Sequence, residues 1–238
     1  MDTGKTGKWN LESEWLVPPR QARSRKSLEA VLSAAETLFT SKGYEATSIS
    51  DIGALARVST GSIYSRFPDK DAILQVIHDS FSKALTDTSA DAFSPEAWRT
   101  ASAAEIVMAM VDRFFFAYRS YPGILCLIER QRLVNPAVDE RARKWNNLSI
   151  GKFQALLKSH AAEIPHPDTD HAVTVVHYVM HQTLAMTALF EQENASPPFR
   201  LADDRFERDM MQMALRYFGL PDDTSAWRRH TWARLRGW

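Results

Sequence analysis

Hydrogen-bond donors are concentrated between residues 47 and 70. Hydroxyl and basic side chains are frequent there, and such groups bind phosphates and the edges of nucleobases. Gly61 has no side chain, so the backbone could approach a phosphate or a base closely at that point. The residues expected to make these contacts are Thr47, Ser48, Arg57, Ser59, Thr60, Gly61, Ser62, Tyr64, Ser65, Arg66 and Lys70.

Two short helices must position these side chains. Ser48 is a suitable N-cap, with Asp51 three residues later, and the pattern predicts a helix over residues 49–57. After a tight turn, Ser59 is the expected cap of a second helix over residues 60–66. Helix N-termini carry free amide groups and partial positive charge, which suit phosphate.

Longer helices brace this pair on both sides. One apolar stripe predicts a helix that starts near Leu28 and stops at Gly43, and another predicts a helix over residues 72–85. Two short helices with a tight turn between longer ones are typical of a helix-turn-helix DNA-binding unit. The expected core residues of the unit are Ile52, Leu55, Val58, Ile63 and Phe67.

The composition sets limits on the class of protein. Lys plus Arg and Asp plus Glu both number 29, so any affinity for a polyanion must come from local patches. The single Cys argues against a disulfide-stapled fold and fits a reducing compartment. A polar N-terminus and the lack of a long apolar run predict a cytoplasmic protein with no membrane partner.

The rest of the chain favours an all-α fold of about nine helices. We expect an N-terminal three-helix helix-turn-helix domain followed by a helical domain for ligand binding and dimerisation. The later helices are predicted over residues 103–120, 123–134, 137–164, 169–192 and 203–218. The predicted units are a flexible extension (1–19), a DNA-binding domain (20–70), a second domain (71–222) and a basic, Trp-containing tail (223–238).

The run from residue 28 to residue 74 resembles the N-terminal domain of the TetR family of transcriptional repressors (TetR/AcrR type). Its core motif is SISDIGALARVSTGSIYSRFPDKDAIL, and the match covers roughly a fifth of the chain. The matching positions are Ala35, Leu38, Phe39, Gly43, Tyr44, Thr47, Ile52, Val58, Ser59, Gly61, Tyr64, Phe67, Lys70 and Leu74.

The resemblance implies that residues 60–66 enter the major groove of operator DNA. Tyr64, Lys70, Thr47 and Ser48 would then hold phosphates. The sequence departs from the family pattern at two places. Gly53 stands where the family usually has Ala, at a cost of about 1 kcal/mol to the helix. Arg57 replaces the usual turn Gly, which predicts a strained left-handed residue or a slightly different turn.

Some of these residues have a second interpretation. Tyr64 could be a packed aromatic side chain, and Arg66 a solvated surface charge. The basic segment 20–26 could be a solvated arm or could touch the DNA backbone or minor groove.

The resemblance also implies a homodimer that recognises a pseudo-palindromic operator. Apolar stripes over residues 169–192 and 203–218 exceed what one core needs, which is consistent with a four-helix bundle between subunits. An ordinary intramolecular core is the alternative interpretation of both stripes.

A small-molecule inducer is the expected effector, bound in a pocket of the second domain that is rich in aromatic residues. Ordinary core packing is the competing interpretation for each aromatic. The predicted pocket residues are Phe115, Tyr118, Trp145, Tyr178 and His181. His177 and His181 lie four residues apart like half of a metal site, but Cys126 is isolated, so we expect neither a metal nor a cofactor.

Three classes of function compete. The first is a dimeric, ligand-responsive repressor. The second is an enzyme, which we do not expect because the chain has no Gly-rich phosphate loop, paired carboxylates or nucleophile motif. The third is a helix-turn-helix protein without a ligand, controlled by a protein partner. For the tail, packing on the parent domain competes with binding to a membrane surface.

Overall fold

The computed structural model describes residues 9–11, 13–19, 21–90, 94, 96–193 and 195–224, with backbone only for residues 86–90. Within these residues the regular structure is helical, and no strand occurs. Nine α-helices occur in this part of the chain. They are α1 (Ala22–Ser41), α2 (Ile49–Ala56), α3 (Thr60–Tyr64), α4 (Lys70–Ala90), α5 (Ala103–Ser120), α6 (Pro122–Arg132), α7 (Pro136–Lys158), α8 (Thr169–Gln192) and α9 (Asp204–Phe218).

The first three helices and the start of α4 enclose an N-terminal core. Leu32 of α1, Ile52 of α2 and Ile63 of α3 are almost completely buried in it, as are Ile73 and Leu74 of α4. Apolar residues of α6 and α7 join the same core, so the N-terminal unit packs directly against the second region.

The second core is built around α5, which is buried on most of its circumference. This helix packs against α6, α7, α8 and α9, so it lies at the centre of the C-terminal bundle. The two hydrophobic clusters meet along α6 and α7, which contribute residues to both.

The helix limits follow the predicted ones closely, apart from α1, α4 and α7. α1 begins at Ala22, six residues before Leu28, so residues 22–26 of the predicted basic arm are helical. α4 continues five residues past the predicted end, to Ala90. α7 stops at Lys158 and is followed by a short 3-10 helix, Ala161–Glu163, within the segment predicted as helix up to residue 164. Glu163 has a structural role, since its Oε2 accepts a hydrogen bond of 2.8 Å from the Ala103 amide at the start of α5. That bond holds the pKa of the Glu163 carboxyl below its usual range.

The predicted flexible extension includes residues that pack into the N-terminal core. Trp9, Leu11 and Leu16 are buried in the N-terminal core. The Asn10 amide also donates to the Ser80 hydroxyl at 2.8 Å. We call residues 9–11 and 13–19 the N-terminal strap. Residues 225–238 of the predicted tail lie outside the described residues.

Candidate nucleic-acid interface and ligand pocket

The start of α2 is held by a reciprocal capping box. The Ser48 hydroxyl accepts from the Asp51 amide at 3.1 Å, and the Asp51 carboxylate accepts from the Ser48 amide at 2.9 Å. Lys42 pairs with the same carboxylate at 2.8 Å and, with Ser48, holds the pKa of Asp51 well below its usual range. The predicted cap is therefore confirmed, and Ser48 remains exposed at the helix start.

The turn between α2 and α3 depends on the two departures from the family pattern. Arg57 is left-handed, with φ 56° and ψ 43°, as its place in the turn predicts. The Val58 amide then donates to the Gly53 carbonyl at 2.9 Å. A Cβ at residue 53 would lie only 2.7 Å from the Val58 carbonyl oxygen. Gly53 is therefore required by the close approach of the turn, which offsets its cost to helix stability.

The second short helix, α3, presents a polar face to solvent. The Ser59 hydroxyl caps it by accepting from the Ser62 amide at 3.2 Å. Tyr64 is 57% exposed, and nothing lies within 4 Å of the position that a Cβ of Gly61 would take. Thr60, Ser62 and Ser65 are exposed as well.

The opposite face of α3 anchors the helix. Ile63 and Phe67 are buried in the N-terminal core, as predicted, and Val58 packs partly against it. Leu55 was predicted to be core, but 52% of it is exposed on α2, so that prediction is wrong. In an eight-residue helix, a single apolar residue carries too little periodicity to assign its side.

Two residues predicted to hold phosphates are used inside the domain. Thr47 is 2% exposed, and its hydroxyl donates to the Gly43 carbonyl at 2.7 Å. Its predicted contact with a phosphate stays a prediction. The Lys70 ammonium donates to the carbonyl oxygens of Tyr44 at 2.8 Å and Thr47 at 3.0 Å. An ammonium has three donors, so one N–H of Lys70 remains for another acceptor.

Tyr44 fastens the same loop to α4. Its hydroxyl donates to the carboxylate of Asp71, the second residue of that helix. Burial, together with Asp71, raises the pKa of Tyr44 well above its usual value. Lys70 and Asp71 therefore both hold the loop between α1 and α2, and the start of α4 is rigidly tied to the DNA-binding unit.

Arg66 also bonds to other residues of the domain, and its predicted DNA contact stays a prediction. Its Nη1 donates to the carbonyl oxygens of Val17 at 2.9 Å and Pro18 at 2.8 Å, and its Nη2 bonds to the Ser24 hydroxyl. The Val17 amide returns a bond to the Arg66 carbonyl at 3.0 Å. The strap thus binds directly behind α3.

The strap also reaches the helices of the second region. Glu14 pairs with Arg141 of α7 at 2.7 Å, and the Ser13 hydroxyl donates to Asp79 of α4 at 3.5 Å. Sequence reasoning missed these contacts. The sequence did contain a signal for packing, because four large apolar residues stand in this otherwise polar segment: Trp9, Leu11, Trp15 and Leu16.

A cavity of about 90 Å³ lies between α4, α5, α6, α7 and α8. Three of the five predicted pocket residues line it: Tyr118, Trp145 and His181. The prediction is wrong for the other two. Phe115 is buried against Phe206, at 5.3 Å between ring centres, and Tyr178 is 65% exposed on the outer side of α8.

Phe114, His177 and His78 line the cavity in their place. Adjacent side chains on a helix point in directions that differ by about 100°. Which of Phe114 and Phe115 faces the cavity therefore depends on how α5 is rotated about its axis. His78 was overlooked because the sequence gives it only as one polar position within the apolar stripe of α4.

Ring contacts order the polar side of the cavity. The rings of His177 and His181 are stacked with their centres 6.5 Å apart, and Phe114 meets His177 edge-on at 4.8 Å. The Tyr118 hydroxyl donates to the His181 carbonyl at 3.4 Å. Glu129 lies 3.4 Å from His181 Nε2 and is bonded through both oxygens to Arg132.

The histidines of the cavity are uncharged at neutral pH. Burial lowers the pKa of His78 to about 3, and Arg141 and Arg132 act in the same direction. Burial also lowers the pKa of His177 to about 3, helped by His181 and Arg113. Burial lowers the pKa of His181 too, against the opposing effect of Glu129.

Two features of the described residues bear on alternative functions. No group of three or more His, Cys, Asp or Glu side chains within them is arranged to hold a metal ion. None of the helices in this part of the chain has the length and apolarity needed to cross a bilayer.

Large apolar side chains are exposed on the last two helices. Tyr178, Met186 and Phe190 project from α8, and Met213 and Tyr217 project from α9. We call these five residues the α8–α9 apolar surface. The three residues on α8 are separated by eight and then four positions, which places them along one side of the helix.

Comparison with known proteins identifies both regions. Residues 31–77 match the family model described as bacterial regulatory proteins, tetR family. Residues 102–218 match that described as the tetracyclin repressor-like C-terminal domain.

Two curated relatives match over only part of their length. The A-factor receptor protein of Streptomyces griseus is 38% identical over 60 residues, which are 25% of this chain and 22% of that protein. The HTH-type transcriptional regulator HbdR of Aromatoleum sp. (strain CIB) is 52% identical over 59 residues, 25% of each. The chain thus spans about a quarter of the length of the curated relatives it matches.

Solved structures share the fold over most of the chain. A TetR transcription regulator from Haloarcula marismortui has a TM-score of 0.63 at 15% identity, covering 82% of this chain and 97% of that one. A regulatory protein in the tetR family from Rhodococcus RHA1 has a TM-score of 0.62 at 18% identity, covering 82% and 98%. At these identities the likeness concerns the fold alone.

Proposed function

The chain belongs to the tetR family of bacterial regulatory proteins, and from this premise we propose that it is a homodimeric repressor released from a pseudo-palindromic operator by a small, apolar or aromatic ligand. Members of this family are DNA-binding transcription regulators, so the protein is a transcription factor and not an enzyme. We expect it to act in the cytoplasm, where the DNA is.

The exposed polar face of α3 is the observation that carries the proposal. Tyr64 and the hydroxyl groups of Thr60 and Ser62 face outward, while Ile63 and Phe67 anchor the helix. A short, well-anchored helix with free donors fits the major groove, where base edges are distinguishable. The exposed N-caps Ser48 and Ser59 suit adjacent phosphates.

The arrangement of α4 supports control by a ligand. This helix grips the loop before α2 through Lys70 and Asp71 at its N-terminus, and His78 lines the cavity two turns later. A ligand that displaced the middle of α4 would therefore move the DNA-binding unit. By linkage, operator and ligand must then weaken each other's binding by the same factor.

The α8–α9 apolar surface supports the dimer. Exposed apolar groups concentrated on two neighbouring helices are typical of a subunit interface. A dimer with its two-fold axis at this surface would present two copies of α3 to the DNA. Such dimers bind two half-sites roughly 34–36 Å apart.

Selection of bound DNA from a random library, followed by footprinting of the selected sequence, tests the proposal. We expect protection of two symmetric half-sites about one helical turn apart, with affinity that falls as salt rises. A monomer at micromolar concentration, or the absence of a symmetric protected sequence at moderate ionic strength, would overturn it.

The size of the cavity favours a second candidate, a DNA-binding protein controlled by a protein partner. Sites for drug-sized ligands hold roughly 300–1,000 Å³, whereas this cavity holds about 90 Å³. Thermal shift against a panel of apolar metabolites separates the two candidates, because only the ligand-responsive repressor is stabilised by a compound.

A further inference from the structure

The imidazole of His78 has an unmet hydrogen bond at the wall of the cavity. His78 is 2% exposed, and its Nδ1 has no hydrogen-bond partner among the residues that the structure describes. A buried polar atom without a partner destabilises the folded state, and most such atoms in proteins are satisfied. A side chain of this kind at the wall of a cavity points to a partner that is absent from the free protein.

The polar groups around His78 restrict the charge of that partner. His177 and His181 are neutral in the free protein, so neither supplies a charge to an ionic ligand. Glu129 is already bonded through both oxygens to Arg132, and Arg113, the cation in the cavity wall, donates to the Ser149 hydroxyl at 3.1 Å. A carboxylate on the ligand would have to draw Arg113 from that bond, and an ammonium would lose its hydration without a free anion to replace it.

The remaining walls restrict its shape. Phe81, Phe114 and Trp145 give aromatic faces or edges, and Leu85, Leu125 and Ile128 close the apolar side. A cavity of about 90 Å³ is of the order that takes one ring, since an apolar protein cavity of roughly 150 Å³ binds benzene.

We propose, on the basis of the repressor function above, that the cavity binds an uncharged aromatic ring carrying a hydroxyl group, and that His78 is the residue that selects for the hydroxyl. A hydroxyl both donates and accepts, so it pairs with Nδ1 in either tautomer of the imidazole. Because His78 belongs to α4, the bond forms on the helix that holds the DNA-binding unit.

Four matched one-ring probes test the class of ligand on the wild-type protein. They are 4-methylphenol, toluene, 4-methylbenzoate and 4-methylbenzylammonium, each titrated by calorimetry. We expect 4-methylphenol to bind about tenfold more tightly than toluene, the gain of one hydrogen bond, and both ions to bind more weakly than 4-methylphenol. Equal binding of toluene, preference for either ion, or no binding by any probe overturns the proposal.

Two variants test the role of His78. In His78→Leu we expect 4-methylphenol to lose about tenfold in affinity while toluene keeps its own, and in His78→Asn, which retains a polar group at the position of Nδ1, a smaller loss. The melting temperature of His78→Leu should equal or exceed that of wild type, because an unpaired buried atom is removed. Unchanged affinity of His78→Leu for 4-methylphenol overturns the assignment, and the probe ranking on the wild-type protein stands even if a variant fails to fold.

Operator binding of the same wild-type samples, measured by fluorescence anisotropy, separates this inference from the repressor function. Intact operator binding with the wrong probe ranking overturns the ligand class alone. Loss of operator binding overturns the function on which it rests.

Discussion

The ammonium of Lys70 donates a 2.8 Å hydrogen bond to the Tyr44 carbonyl and lies 4.2 Å above the centre of the Tyr44 ring. One side chain at the start of α4 therefore supplies hydrogen bonds to carbonyl groups of the loop that leads into α2. This contact makes Lys70 a structural residue of the DNA-binding unit, whatever its remaining donor binds.

Replacing Lys70 with Met should lower both stability and operator affinity. The carbonyls of Tyr44 and Thr47 lose a charged donor, which we expect to cost about 1–3 kcal/mol in the free energy of unfolding. Urea denaturation and an operator binding assay measure the two effects. Unchanged stability with weakened DNA binding would show that Lys70 acts only on phosphate.

Replacing Tyr64 with Ala should weaken operator binding and leave the fold intact. Its side chain is 57% exposed, so little packing is lost. We expect at least a tenfold rise in Kd, with helix content and melting temperature unchanged. Tyr64→Phe is the matched control: it keeps the ring, so a loss as large as that of Tyr64→Ala would assign the effect to the hydroxyl. Wild-type affinity in both variants would remove Tyr64 from the interface.

Replacing Arg66 with Ala should release the N-terminal strap. The carbonyls of Val17 and Pro18 lose their donor, so hydrogen exchange of the strap should accelerate at least tenfold, and chymotrypsin, which cleaves after aromatic residues, should cut after Trp15 sooner. Arg99→Ala, at an exposed arginine, is the control. If exchange in the strap is unchanged while DNA binding falls, Arg66 contacts the operator instead.

Replacing Met186 with Glu should disrupt the dimer. A charge placed within the α8–α9 apolar surface would be buried without a partner, and we expect dimerisation to weaken at least tenfold, as measured by analytical ultracentrifugation. Leu133→Glu is the control, because Leu133 is 86% exposed and lies between α6 and α7, not on α8 or α9. Equal dimerisation of both variants would place the interface elsewhere.

Stability should fall as the pH is lowered from about 6.5 towards 3. The folded pKa of His78 and of His177 is about 3, below the model-peptide value of 6.5, so the unfolded chain binds more protons in this window. The stability from each neutral imidazole is present above pH 6.5 and is lost as acid protonates the unfolded state.

Urea unfolding at pH 7.5, 6.5, 5.5 and 5.0 measures this dependence. Well below pH 6.5, each of the two histidines contributes up to about 1.4 kcal/mol per pH unit. His177→Asn should reduce the slope by that amount relative to wild type, and His171→Asn, at an exposed position, should not. Identical slopes for wild type and His177→Asn would contradict the burial of this imidazole in a neutral form.

Most of the fold was predictable because its signals are local. Capping residues such as Ser48 and Ser59 act on amides three residues away, and the limits of α5 and α8 follow from apolar periodicity and from prolines. For Arg57 the motif left two alternatives, a left-handed residue or a different turn, and the structure has the first. Such interactions lie within one or two turns of helix, so the order of residues is enough to reveal them.

Contacts between residues far apart in the sequence could not be predicted from the sequence pattern. Arg66 and Lys70 have the right chemistry for phosphate, but their partners lie 49 and 26 residues away, and only the packed chain brings those carbonyls within reach. The rotation of α5 chose Phe114 over Phe115 for the cavity, and the path of α4 brought His78 to its wall. Side-chain type is a property of the chain, whereas the partner that a side chain meets depends on how all the helices pack together.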